Sequence, residues 1–189
     1  MLWRFCAYGF LKNQRYFEPF LVLFLLEKGL SFFLIGGLVA FRELTVNLLE
    51  IPSGAVADVF GRRRALMVCF ASYAASFLVF GWAEHLALLF VAMALFAVGE
   101  AFRTGTHKAM IFEWLRQQDR ISEKTKVYGV TRSWSKLGSA LSILIAAGVV
   151  LLTGRYAPVF FLSAVPCALS VINLLGYPKS LENEPAEAE

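Results

Sequence analysis

Two stretches of the chain, Ala65 to Ala83 and Tyr156 to Pro178, contain no Asp, Glu, Lys, Arg or His. A lipid hydrocarbon core of roughly 30 Å is crossed by about 20 helical residues, and each run is long enough to cross it. The rest of the sequence agrees. Of its 189 residues 58% are hydrophobic, 15% aromatic and only 17% charged, with a mean hydropathy of +0.63. Soluble domains carry about 25% charged and about 45–50% apolar residues, so the apolar excess belongs to surface that faces lipid.

Apolar density and turn residues predict six spans, near Leu2–Leu26, Phe32–Ala57, Ala65–Ala83, Leu86–Phe112, Tyr128–Leu152 and Tyr156–Tyr177. Arg4, Arg62, Arg63, Arg64, Arg116, Arg120, Lys124, Lys126 and Lys179 fall on one side of these spans, against Lys28 and Arg155 on the other. The positive-inside rule therefore places both termini in the cytoplasm, in a protein integral to the plasma (inner) membrane. The net charge of +4 is accounted for by short basic loops beside anionic lipid, so nucleic acid is not expected as a partner. Residues 1–178 read as one bundle. Residues 179–189 are acidic, with Pro185 and four glutamates, and read as a disordered cytoplasmic tail.

Arg4 precedes a long aromatic-rich segment with no cleavage-site pattern, so the first helix is expected to be retained. Cys6, Cys69 and Cys167 have neither a pairing nor a metal spacing and read as small packing residues. No metal and no cofactor is implied. An enzyme is not expected either: the chain has two histidines, no glycine-rich phosphate loop and no nucleophile elbow.

The third and sixth spans are uncharged, while the first, second, fourth and fifth carry ionisable residues within the apolar run. The pattern charged, charged, uncharged occurs twice, as an inverted repeat of three helices plus three would give. Charges in lipid are costly and face a bundle interior or a water-filled cavity. At about 100° per residue, Tyr8, Lys12 and Arg15 share one flank of a first helix, with Glu18 further round. On the second, Gly36, Ala40, Glu43, Asn47, Glu50 and Gly54 form a small-and-polar stripe, with Arg42 off it. Glu100, Arg103, Thr104 and His107 share a face of the fourth, and Tyr128, Arg132, Ser135, Lys136 and Ser139 one of the fifth.

One shared cavity is therefore expected. Its solute- or ion-contacting candidates are Tyr8, Lys12, Arg15, Glu18, Glu43, Asn47, Glu100, Arg103, Arg132 and Lys136. Two structural alternatives stand beside this reading. Arg42, Glu50 and Arg132 serve equally well as ion-pair partners that fix helix register, and Arg132 is also placed to snorkel to headgroups. For His107 a hydrogen-bonding role near the cytoplasmic helix end is preferred over a proton-sensitive one.

The loop between the second and third spans reads Gly54-Ala-Val-Ala-Asp58-Val-Phe-Gly61-Arg62-Arg63-Arg64. It resembles the signature of the major facilitator superfamily, in residues and in topological slot, although Val59 stands where a basic residue is common. Phe17-Glu18-Pro19 and Gly99-Glu100-Ala-Phe-Arg103 are weaker similarities. The glycine-proline element of the drug/proton antiporters is missing from the fifth span.

The resemblance implies an all-α integral membrane bundle, the N-terminal six-helix half of a twelve-helix transporter. It also implies a gate latch made by Gly54, Asp58, Gly61, Arg62 and Arg63. The expected function is that of a subunit or half of a secondary active transporter moving a small solute by alternating access. Its expected partners are the lipid bilayer, the solute, and a second copy of itself in a homodimer or a complementary six-helix half. The deep charges, six cations against four anions, favour an anionic or zwitterionic solute. The alternative is a non-transporting membrane scaffold or regulatory protein built on a half-transporter bundle.

Overall fold

The computed structural model describes residues 1–103 and 106–181, and these hold α-helices, 3-10 turns and connecting loops but no strand. Thr104 and Gly105, expected on the fourth span, and the tail beyond Leu181 lie outside the described residues. The α-helices are α1 (Leu2–Lys12), α2 (Leu21–Glu27), α3 (Phe32–Phe60), α4 (Arg62–Trp82), α5 (Leu86–Arg103), α6 (Thr106–Gln117), α7 (Lys124–Thr153) and α8 (Ala157–Leu175). Five stretches are long and apolar enough to cross a membrane: Phe32–Phe60, Arg62–Trp82, Leu86–Gln117, Ile121–Thr153 and Ala157–Leu175.

The first span departs from expectation. Instead of one helix from Leu2 to Leu26, α1 ends at Lys12, and the chain continues through an irregular stretch and a 3-10 turn, Glu18–Phe20, before α2 begins. Asn13 caps α1, and its side-chain amide leaves the helix to donate to the Ser135 carbonyl at 3.1 Å and to Ser139 Oγ at 3.4 Å, both on α7. Pro19 then occupies the first turn of the new segment, where its missing N–H has no partner to lose. Arg15 and Glu18 therefore do not continue a helical flank from Lys12, as a regular helix would require.

Other ends follow local chemistry. Ser31 caps α3, its Oγ accepting the Leu34 N–H at 3.4 Å. The same helix stops at Gly61, whose φ of 96° suits a residue without a Cβ, and α4 starts at the next residue. Gly154 closes α7 in the left-handed region with φ 65°.

α4 lies at the centre, packed between α5 and α8; α3 packs on α5, and α1 packs on both α7 and α8. Leu66, Cys69, Phe70, Tyr73, Phe77 and Phe80 are all buried along α4, and Phe24, Phe80 and Phe160 join it to α2 and α8. Between lipid-embedded helices the association comes from close packing and hydrogen bonds rather than from the hydrophobic effect. Small residues supply both. A Cβ on Gly9 would stand 2.7 Å from the Thr131 carbonyl, and one on Gly138 would collide with the Phe10 carbonyl, so α1 and α7 meet backbone to backbone. Ser53 Oγ donates to the Ala101 carbonyl at 2.9 Å and Ser76 Oγ to that of Ala92 at 2.8 Å.

Two helices are covered on one side only. Phe33, Leu48 and Ile51 of α3 are 77–88% exposed, and Leu144, Leu151 and Leu152 of α7 are 72–89% exposed. Gly36 and Gly54 lie on the open side of α3, with no atom within 4 Å of a Cβ position, so neither glycine serves a close helix approach among the described residues.

Overpacking a filled contact costs about 1–3 kcal/mol. Gly138→Ala therefore lowers the thermal unfolding midpoint in detergent. Gly129→Ala on the same helix, where nothing lies within 4 Å, leaves it unchanged or raises it. Equal midpoints for the two variants would show that the α1–α7 approach is loose.

Candidate functional site

The break in the first span opens polar hollows around it, at the point where α3, α5 and α7 bring in their charges. Glu100, from the middle of the bundle, is the junction. It accepts hydrogen bonds from the Tyr73 hydroxyl and from Arg103 Nη2, and it lies 3.7 Å from Arg15 Nη2. Arg15 also reaches Glu18 at 3.5 Å. On α3, Arg42 pairs with Glu43 and places its guanidinium 5.6 Å from the centre of the Phe96 ring. These pairs are partly open to the hollows: the side chains of Arg15, Glu100 and Arg103 are 24–30% exposed.

Arg15, Glu18, Arg42, Glu43 and Glu100 line one hollow of about 170 Å³, floored by Phe17 and Phe96. A second, of about 130 Å³, lies on the other side of the break and takes Tyr8, Lys12, Asn13, Arg103, Tyr128 and Arg132. A third, of about 280 Å³, runs along α7 from Asn13, Arg15 and Glu18 to Ser139 and Ser142. Lys12 places its ammonium 5.5 Å from the Tyr8 ring centre.

Tyr8, Lys12, Arg15, Glu18, Glu43, Glu100, Arg103 and Arg132 are thus brought to adjoining hollows. Asn47 and Lys136 are exposed and are not among the residues that line them. The reason on α3 is rotational. The helix buries Ile35, Leu38, Ser53 and Ala57 against its neighbours, which turns Gly36, Ala40, Asn47, Glu50 and Gly54 to the open side and brings the unselected Arg42 into the lining. Asn13 and Tyr73 were equally unmarked. Tyr73 sits in a charge-free span, and only the crossing of α4 over α5 gives its hydroxyl a carboxylate.

His107 is buried, stacked on Tyr8 with ring centres 3.6 Å apart, and its Nε2 lies 3.1 Å from the Tyr177 hydroxyl. This is the hydrogen-bonding role preferred from sequence. Cys6, Cys69 and Cys167 are free thiols, all buried between helices. Among the described residues no group of three His, Cys, Asp or Glu side chains is placed to hold a metal ion.

A family model, the Major Facilitator Superfamily, matches residues 5–189. The chain belongs to this superfamily. No curated protein matches it. Among solved structures it is similar to a crystal structure of a mutant of the peptide transporter POT in complex with sulfate. The TM-score is 0.74 and the identity 20%, over 92% of this chain and 37% of the other. The likeness is one of fold, and the chain spans just over a third of that transporter's length.

The loop that carries the superfamily signature is a structural tie here. Gly61 makes the turn into α4, and Arg63 crosses to the end of α8, donating from Nε to the Leu174 carbonyl at 2.9 Å and from Nη2 to the Leu175 carbonyl at 3.0 Å. A cation on the last carbonyls of a helix satisfies orphan acceptors and complements the dipole. Arg62 also makes contacts in the structure, while Gly54 and Asp58 are exposed on the last turns of α3.

Residues that share one ion-pair network couple by about 0.5–3 kcal/mol. Glu100→Gln and Arg103→Gln, singly and together, are therefore expected to be non-additive in chemical unfolding of the detergent-solubilised protein, with the double variant less damaged than the sum. Strict additivity would mean that the pair does not hold the bundle together.

Proposed function

We propose that this chain is one half of a secondary active transporter that moves a small charged solute by alternating access, together with a second copy of itself or a complementary six-helix half. The observation that carries this reading is the convergence of Arg15, Glu18, Arg42, Glu43, Glu100 and Arg103 on open hollows midway along the spans. Charged groups at that depth are stable when they pair and face water, and a water-filled hollow flanked by ion pairs is also a place where a solute can exchange for one partner of a pair.

The internal architecture supports a repeat of three spans plus three. Exchanging the first three spans with the last three turns the α3–α5 contact into α7–α1, turns α4–α5 into α8–α1, and maps α4–α8 onto itself. All of these contacts are made. Such repeats set a binding site at the bilayer midplane and move about it as bodies.

The open sides of α3 and α7 support a partner. In the absence of one, Asn47 and Glu50 would face lipid at a cost of several kcal/mol. Two copies related by a two-fold axis, the commonest closed assembly, would cover both. The basic residues at one end of the bundle, Arg4 and Arg62 to Arg64 among them, support an orientation with that end and both termini in the cytoplasm, in the plasma membrane. There the turn at Gly61 and the Arg62–Arg63 pair would act with Gly54 and Asp58 as a latch between halves. Residues 1–178 would form the bundle, and the tail expected from 179 onward begins later than that: Lys179–Leu181 make a 3-10 turn against it, with Leu181 buried and the Ser180 carbonyl accepting from Gln117 Nε2 at 3.1 Å.

Native mass spectrometry of the protein released from membranes is expected to give a two-chain species or a complex with a complementary chain. Reconstituted in liposomes, a Ser139→Cys variant is expected to react with a membrane-impermeant thiol reagent from either side, in proportions that change with the imposed gradients. A stable monomer whose introduced thiol is reached from one side only, under every gradient, overturns the reading.

A further inference from the structure

We propose that the hollow between α1 and α7 is an oxyanion subsite, in which Lys12, Arg103 and Arg132 receive the carboxylate, phosphate or sulfate group of the transported solute. The inference rests on the transporter reading and adds to it the chemical group and the place where it binds.

Charge is divided unevenly across the break in the first span. Each carboxylate around the larger mixed hollow has a cation: Glu18 has Arg15, Glu43 has Arg42, and Glu100 has both Arg15 and Arg103. In the hollow on the other side the three cations are lined up with Tyr8, Asn13 and Tyr128, and none of its lining residues is a carboxylate. Lys12 and Arg132 form no ion pair among the described residues, and the Nε of Arg103 is buried without an acceptor. Positive charge without a carboxylate partner is therefore gathered here, with Lys12 half-buried and Arg132 exposed.

Uncompensated cations in a low-dielectric interior are destabilising unless an anion or water joins them. The cavity of about 130 Å³, at roughly 30 Å³ per water, has room for several waters or one compact oxyanion. Arg and Lys together suit such a group, the first as a planar fork and the second as a point charge.

Depth separates a solute from a lipid. Lys12 closes α1 ten residues after Leu2, roughly 15 Å at 1.5 Å per residue, which is half of a hydrocarbon core of roughly 30 Å. A headgroup phosphate at the membrane surface that Arg132 could reach stands too far from Lys12 to be shared with it, whereas a solute entering through the hollows does not. Across the break, the Glu18 and Glu43 carboxylates stand ready for a positive group on the same molecule, so a zwitterion would lie along the first span with its anionic end beside α7.

Inorganic phosphate is the probe. Calorimetric titration into the full chain in phosphatidylcholine nanodiscs is expected to show saturable binding. Lys12→Gln and Arg132→Gln should each weaken it about 10- to 100-fold, the loss of one charge-assisted hydrogen bond. Lys12→Arg should retain binding, which separates loss of the site from loss of the fold. Lys28→Gln, the same charge change at the far end of α2, should leave the affinity as it was. Absence of phosphate binding, or equal weakening by all three glutamine variants, overturns the subsite. So does suppression of phosphate binding by phosphatidylglycerol in the nanodisc, which would assign the hollow to a lipid headgroup. Phosphate binding with one-sided access of the Ser139→Cys probe would remove the transporter reading and leave the subsite standing. Two-sided access without phosphate binding would do the reverse.

Discussion

A carboxylate in the middle of an apolar bundle has to be neutralised from more than one side, and Glu100 is held from three. Arg103 reaches it from the next turn of α5, Tyr73 from α4, and Arg15 from the irregular stretch after α1. The last of these needs the interruption in the first span. In a continuous helix Arg15 would stand on the Lys12 flank, within a turn of it. By leaving the helix at Asn13 the chain carries Arg15 across to α5, and the Asn13 amide is satisfied on α7 instead. The break, the hollows beside it and the meeting of four charged elements are consequences of the same requirement.

That arrangement depends on a rigid backing. α4 and α8, the two spans without a charge in their apolar runs, pack together behind the polar elements and carry much of the aromatic core. Their contacts are mostly apolar; away from the basic end, Ser76 bonds the Ala92 carbonyl of α5 and Tyr73 contributes one hydroxyl to Glu100. α1 and α7 can approach closely enough to share the cation-lined hollow because Gly9 and Gly138 remove the side chains that would keep them apart. The tie from Arg63 to the end of α8 fixes the same layer at the basic end.

Much of this was legible in the sequence. Charge-free runs of membrane length gave the solvent, the twice-repeated charge pattern gave the division into polar and backing spans, and the Gly54 to Arg64 loop gave the superfamily. Most of the ionisable candidates do meet around the hollows. What the sequence could not supply was the rotation of each helix about its own axis and the place where regular helix stops. The stripe from Gly36 to Gly54 is real, yet which side of α3 is buried was decided by Ser53 finding the Ala101 carbonyl and by Leu38 finding the core. That choice exchanged Asn47 for Arg42. The end of α1 was hidden for a related reason: Pro19 marks an interruption in the span but not where it begins, and the partner of Asn13 is Ser135, 122 positions away.

The same rotation gives the stripe a different use. A helix in a finished membrane bundle has little reason to keep Asn47 and Glu50 on a side covered by nothing, and α7 has a similarly open side at Lys136 and Leu144. On the proposed repeat these are equivalent helices, the second of each group of three, so the uncovered surfaces arise as a pair related by the symmetry that relates α3–α5 to α7–α1. A cover for one is then matched by a cover for the other. The mixed hollow opens beside α3, and the cation-lined one lies between α1 and α7. Whatever closes over the two open helices therefore also closes over the ends of the charge separation that runs along the first span.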